Sequence, residues 1–119
     1  MLNIEAILCD YLAKKTGIPT YVEVPANMPD RFITVERTGG GDTRTSISEN
    51  PTVVIDYWGR SRADAHDMCG AGDTAVIAMR GRVQGVSNVK PLTACVHYPD
   101  VLSGRERYES THSFITYEY

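Results

Sequence analysis

Apolar positions along this chain switch between two periods, and the switches mark out its elements. Ile4, Ile7, Leu8, Tyr11 and Leu12 follow the i, i+3, i+4 spacing of one helical face, predicting a helix over Asn3 to Thr16. Asn3 suits the cap, Glu5 the first turn, and Lys14 and Lys15 the last; Gly17 and Pro19 stop it. Tyr21 to Val24 is a short strand candidate, followed by a turn between Pro25 and Pro29. Arg31 to Arg37 alternates as a strand, with Ile33 and Val35 on one face and Phe32, Thr34 and Glu36 on the other. Thr52 to Trp58 is the clearest strand. It sets Val53, Ile55 and Tyr57 against Val54, Asp56 and Trp58. Ser61 and Asp64 then form an S-x-x-D capping signal. The helix behind it places Ala65, Met68, Cys69, Gly72, Ala75, Val76 and Met79 on one face, with Gly81 as its close. Gly72 lies on that packed face, which predicts close approach to a sheet; Ile77 falls off it and is expected at the surface. Leu92, Ala94, Val96 and Tyr98 alternate with Thr93, Cys95 and His97 as a half-buried strand. Arg107 to Tyr119 is a final long strand whose Ile115, Tyr117 and Tyr119 side is expected to face the core near its end. Between the second and third strands, Thr38 to Asn50 reads TGGGDTRTSISEN, a long polar loop expected to be mobile.

This order predicts an α+β fold: a mostly antiparallel sheet of four to five strands with two helices on one face. The other face would expose Phe32, Val54 and Trp58, a natural place for self-association.

Length and charge narrow the possibilities. At 119 residues the chain reads as one domain, 1–119, with 42% hydrophobic and 23% charged residues. The net charge of −3 disfavours nonspecific nucleic-acid binding, which calls for a basic surface. No apolar run reaches the roughly 18 residues of a membrane helix, and MLNIEAILCDYLAKK, with acids and no cleavage-type ending, does not read as a signal peptide. The 3 cysteines, Cys9, Cys69 and Cys95, are widely spaced and are expected to be free thiols in a reducing cytoplasm. Arginine makes up nine of the 12 basic residues, in close pairs such as Arg60 with Arg62, Arg80 with Arg82 and Arg105 with Arg107. Its planar fork favours carboxylates across interfaces, and a genomic composition bias explains the excess equally well.

Candidate chemistry is sparse. Gly39 to Gly41 has neither a following lysine nor a helix N-terminus to hold phosphate. His66 and Cys69 stand one helical turn apart, a spacing that can serve a metal, but they point to different flanks and no second ligand pair follows. The histidines His66, His97 and His112 are scattered, and no serine sits in a G-x-S-x-G elbow. No catalytic residue, cofactor or metal is therefore expected.

With the elements in order, the chain resembles the tail-terminator, or tail-completion, family of long-tailed phages and prophages. The resemblance rests on IEAILCDYL leading into YVEV, on PDRFITVERTGG followed by a polar loop, on TVVIDYWGRSRADAHDM running from strand through Trp-Gly into helix, and on the closing RYESTHSFITYEY. It implies a structural virion protein, not an enzyme. Such subunits form a homo-oligomeric ring, a hexamer, at the head-proximal end of the tail tube. The implied partners are other copies of the chain, the tail tube protein and a neck or head-completion protein, with DNA only as cargo through the lumen and no membrane. The implied location is the virion tail, assembled in the bacterial host cytoplasm. A ring needs a heterologous contact between two different patches. Arg44 in the loop, and Arg60, Arg62, Arg105 and Arg107 at element junctions, are the candidate interface residues. A head-completion or connector subunit is the nearest alternative, and a small-molecule-binding α+β module or small enzyme a more distant one.

Overall fold

A computed structural model describes residues 2–41 and 48–119. It contains α1 (Ile4–Thr16), β1 (Thr20–Tyr21), β2 (Phe32–Gly41), β3 (Asn50–Gly59), α2 (Arg62–Ile77), β4 (Val86–His97) and β5 (Glu106–Thr116). The five strands form one sheet in the order β1-β2-β3-β5-β4. Only the short β1–β2 pair is parallel; the other neighbours run antiparallel. The α+β architecture expected from the sequence is present.

Local chemistry starts and stops both helices as the pattern suggested. Asn3 Oδ1 accepts from the Ala6 amide at 3.1 Å, and Gly17 turns left-handed at φ 71°, so that its amide donates to Ala13 O at 2.9 Å. Ser61 Oγ accepts from the Asp64 amide at 3.1 Å. The two N-terminal caps satisfy amides, and the Gly17 amide a carbonyl, that the helix itself leaves without a partner. Beyond α2, turns over Met79–Arg82 carry the chain through Gly81 into β4, so the helix ends a turn earlier than expected.

Both helices pack on one face of the sheet, α1 against β1 and β2, α2 against β3, β4 and β5. Leu8, Leu12, Ile33, Val35, Val53, Ile55, Tyr57, Met68, Val76, Met79 and Phe114 form the buried layer between them. Burial of a single Leu or Ile is worth about 1.5–3 kcal/mol, so this layer dominates the stability. Gly72 fulfils its expected role: a Cβ there would overlap the ring and hydroxyl of Tyr57. Ile77, expected alone at the surface, is half-buried against the same layer.

Further expectations change. The strand expected over Tyr21–Val24 shrinks to the two residues of β1, and 22–31 is irregular. The loop expected from Thr38 begins later, because β2 continues to Gly41 and pairs Gly39 with Thr52, Gly40 with Pro51 and Gly41 with Asn50. Gly40, at φ 120°, admits this pairing, since a Cβ would run into the backbone of Asn50 and Pro51. The rest of that loop, 42–47 with Arg44, lies outside the described residues. On β5 the core side is Tyr108, Ser110, His112, Phe114 and Thr116, and Ile115 is only half-buried. Of the polar members, Ser110 donates to Asp73 of α2 at 2.7 Å, and the Thr116 backbone pairs with Glu49. β4 starts earlier than expected and buries Val86 and Val89, but over the expected strand the apolar side faces outward: Leu92, Val96 and, just past the strand, Tyr98 are about half exposed, whereas Cys95 and His97 turn inward. Finally, Phe32 and Trp58, expected at the surface, are 0% and 2% exposed.

Candidate functional site

Phe32 and Trp58 do lie on the sheet face away from the helices, and neighbouring side chains cover them. Their rings stack at 4.9 Å between centroids. The Arg107 guanidinium sits between Trp58, at 4.7 Å, and Tyr98, at 4.5 Å. Arg105 lies 5.7 Å over Phe32, and its Nη2 donates to the carbonyls of Pro29 at 2.7 Å and Asp30 at 2.9 Å. These contacts tie the irregular segment 22–31 to the start of β5. Cations over aromatic faces contribute about 0.5–2 kcal/mol each, more when desolvated. One end of the open face is thereby closed into a rigid aromatic–arginine row.

Beside that row runs a groove of about 620 Å³. Val22, Glu23 and Val24 form one wall, and Glu5, Thr34, Glu36, Arg37, Asp56, Trp58 and Arg107 line the rest, four acids in all against two arginines. Trp58 Nε1 donates to Thr34 Oγ1 at 3.1 Å, which fixes the ring. Asp56 of β3 stands directly opposite Glu109 of β5. Burial, then the hydrogen bond to Glu109 and Glu109's charge, push the Asp56 carboxyl from 3.8 up to about 8; Arg107 opposes the shift and Glu36 adds to it. Asp56 Oδ1 is buried with no hydrogen-bond partner. A carboxyl held neutral in this way lets two acids face each other on one sheet without full repulsion. The open face thus combines an acidic groove with exposed Val22 and Val24 at its rim. At the tip of the β4–β5 connection, Val101 and Leu102 are 92% and 97% exposed, an apolar pair with no packing partner among the described residues.

The candidate arginines separate into two groups. Arg105 and Arg107 are engaged within the subunit; Arg107 Nε also donates to Tyr98 O at 2.8 Å. Arg60 is largely exposed, with Nε 3.9 Å from Asp30, and Arg62 makes a long 3.5 Å contact to the Tyr108 hydroxyl. Arg44 falls outside the described residues. Arg60 and Arg105 meet at Asp30, whose carboxylate lies 3.9 Å from Arg60 Nε and whose carbonyl accepts from Arg105 Nη2; Arg62 opens α2 and Arg107 braces the open face.

A second polar group lies on the helix side. Asp73 Oδ1 accepts from Ser110 Oγ at 2.7 Å and Tyr57 Oη at 3.1 Å, and His112 Nε2 is 3.9 Å away. Serine, histidine and aspartate thus meet in space, although the sequence scatters them. Their order differs from that of a nucleophilic triad, in which the histidine bridges serine and acid; here Ser110 donates directly to the carboxylate. Burial pushes the His112 imidazole down from 6.5, against Asp73's charge. Next to it, Cys69 and Cys95 form a disulfide, with Cα atoms 6.1 Å apart, which corrects the expectation of three free thiols. Cys9 alone is free. The inward turn of Cys95 on β4 brings it to α2, a long-range consequence of strand facing that cysteine spacing does not reveal.

Sequence reasoning missed both polar groups. The available signals were a lone Asp56 inside the apolar run TVVIDYW, and Asp73 following Gly72 on the packed side of α2.

No family profile and no curated protein sequence matches this chain. Among solved structures it is similar to a chain from the virion of a native gene transfer agent (GTA) particle. That match covers 90% of this chain and 84% of the other, with a TM-score of 0.55 and 12% sequence identity. The two share a fold. No helix among the described residues is long and apolar enough to cross a membrane.

Proposed function

We propose that this chain is a structural subunit of a phage-type particle and, more specifically, a tail terminator. In this reading it forms a ring on the head-proximal end of a tail tube, stops tube growth and joins the neck, and performs no catalysis. The observation that carries the reading is the fold shared over most of both chains with a component of a virion particle. The strand, Trp-Gly, helix pattern of the resemblance supports it independently. The surface supports a scaffold role: a braced open face, an acidic groove and exposed arginines at the start of α2 give two unlike patches, as a head-to-tail ring requires.

Arg60 and Arg62 are the arginines best placed to meet a neighbour's acids, because Arg105 and Arg107 already serve the fold. Exposed ion pairs contribute about 0–1 kcal/mol each, so a double charge reversal, repeated at every interface, is the useful perturbation. The test is light scattering over a concentration series, together with capping of purified tail tubes. The wild type should form a discrete ring or cap tubes, and Arg60→Glu with Arg62→Glu should weaken both. A wild type monomeric in both settings overturns the ring. Unchanged assembly by the variant removes these two arginines from the interface.

A further inference from the structure

We propose that, once the Cys69–Cys95 bond is reduced, Cys69, Cys95 and Asp73 form a binding site for one thiophilic divalent cation, with Zn²⁺ the expected occupant. The inference is independent of the ring reading.

The donors are already assembled. One ligand atom from each of the three residues lies within 4.8 Å of the others. Asp73 Oδ2 is 3.4 Å from Cys95 Sγ and 4.0 Å from Cys69 Sγ. Its other oxygen is held by Ser110 and Tyr57, so the carboxylate is oriented with Oδ2 towards the sulfurs. Such fixing of a ligand by its neighbours is characteristic of metal sites.

His112 supplies an independent observation. Its side chain is 1% exposed, and neither ring nitrogen has a hydrogen-bond partner. A buried, unsatisfied polar group of this kind costs about 1–3 kcal/mol and calls for an explanation. The imidazole points at the same carboxylate, 3.9 Å from Oδ1. The ring stands outside the cluster of three ligand atoms and beside the oxygen that Ser110 and Tyr57 hold, so His112 can orient Asp73 from behind.

The balance is simple. Two thiols and a divalent cation give two metal-bound thiolates and two protons. A disulfide has no thiolate to offer, so oxidation and metal binding exclude each other, and each closes the junction between α2 and the edge strand β4. Two sulfurs with one carboxylate oxygen select zinc over calcium or magnesium, which take oxygen ligands. Asp73 and Cys95 are only partly buried, which leaves the ion a way in.

The test uses the full chain, reduced with a phosphine in the absence of oxygen and titrated with Co²⁺. Thiolate-to-cobalt charge-transfer absorption should appear, saturate at one equivalent and vanish on adding Zn²⁺, and the oxidised protein should show none. Zn²⁺ should raise the melting temperature of the reduced protein only. Cys95→Ser should abolish the absorption, Cys9→Ala should leave it intact, and Asp73→Asn should weaken binding at least tenfold. Absence of absorption in folded, reduced wild type overturns the proposal, the thiols then donating to Asp73 with no ion bound. Absorption that persists in Cys95→Ser places the ion elsewhere and also overturns it.

Discussion

Asp56→Asn isolates the most unusual electrostatic feature of the open face. The Asp56 carboxyl moves from 3.8 to about 8 on folding, so between these values the folded chain holds a proton that the unfolded chain releases. The folded state binds more protons there, and stability therefore falls as pH rises from about 4 to about 8. Full expression of the shift would amount to roughly 6 kcal/mol at 1.36 kcal/mol per unit. Water reaching the groove screens the site, which brings the expected effect down to on the order of 2–3 kcal/mol. Asparagine keeps the shape of the protonated acid, donates to Glu109 at every pH and does not titrate. Urea unfolding at pH 5 to 8.5 supplies the measurement. Trp58, the 1 tryptophan in the chain, lines the same groove and reports the transition by fluorescence. Wild type and variant should be nearly equal at pH 5, with the variant the more stable by pH 8.5. His112, whose pKa is lowered on folding, changes stability in the opposite sense, with a loss as pH falls below 6.5, but it does so in both proteins and cancels in the difference. Parallel pH curves for the two would refute a neutral, buried Asp56.

Two further substitutions test the helix side. Gly72→Ala should destabilise by about 1–2 kcal/mol, because overlap with Tyr57 outweighs the roughly 1 kcal/mol gain in helix propensity; Gly70→Ala, where a Cβ meets nothing within 4 Å, should stabilise by up to about 1 kcal/mol. Thermal melts in which both changes have the same sign would contradict the packing of α2. Leu8→Ala and Ile55→Ala, both at fully buried positions, should each cost about 2–5 kcal/mol in chemical denaturation, and a change within error at either would displace that residue from the core.

Legibility of this fold from sequence followed the range of the interactions involved. Both helices were readable because their signals are local: Asn3, Gly17 and Ser61 act within four residues of themselves. The close approach of Gly72 was readable because a glycine on an apolar helical face has few other reasons to be there. Strand faces were less so. Alternation divides β5 into two sides but does not say which is inside, and Ile115 and Tyr117 compete with Phe114 on hydrophobicity alone. The answer comes from α2, whose Asp73 can accept from Ser110 across the interface. In the second half of β4 the inward positions are Cys95, joined to Cys69, and His97, whose Nε2 meets Glu106 Oε2 at 2.7 Å. Polar and covalent partners distant in sequence thus overrode the apolar pattern. Asp56 and Glu109 were invisible as a pair for the same reason, since register between β3 and β5 sets their meeting.

The two sheet edges constrain how any ring could close. β1 offers two residues before the chain leaves the sheet, and β4 carries register shifts at three places and Pro91 within the strand. Short, bulged and proline-bearing edges resist addition of a further strand. The remaining surfaces with the required asymmetry are side-chain surfaces: the groove with its apolar rim, the start of α2 with Arg60 and Arg62, and the Val101–Leu102 tip. The ring reading therefore predicts contacts made by side chains, with no sheet running from one subunit to the next. Hydrogen exchange on the free and assembled protein separates the cases. Amides of Leu92 to Val96 that are unprotected in the free subunit should stay unprotected in the ring, whereas burial should slow exchange around Gly59–Arg62 or Val22–Val24. Strong new protection confined to alternate β4 amides would show strand addition and overturn this account of the interface while leaving the ring itself intact.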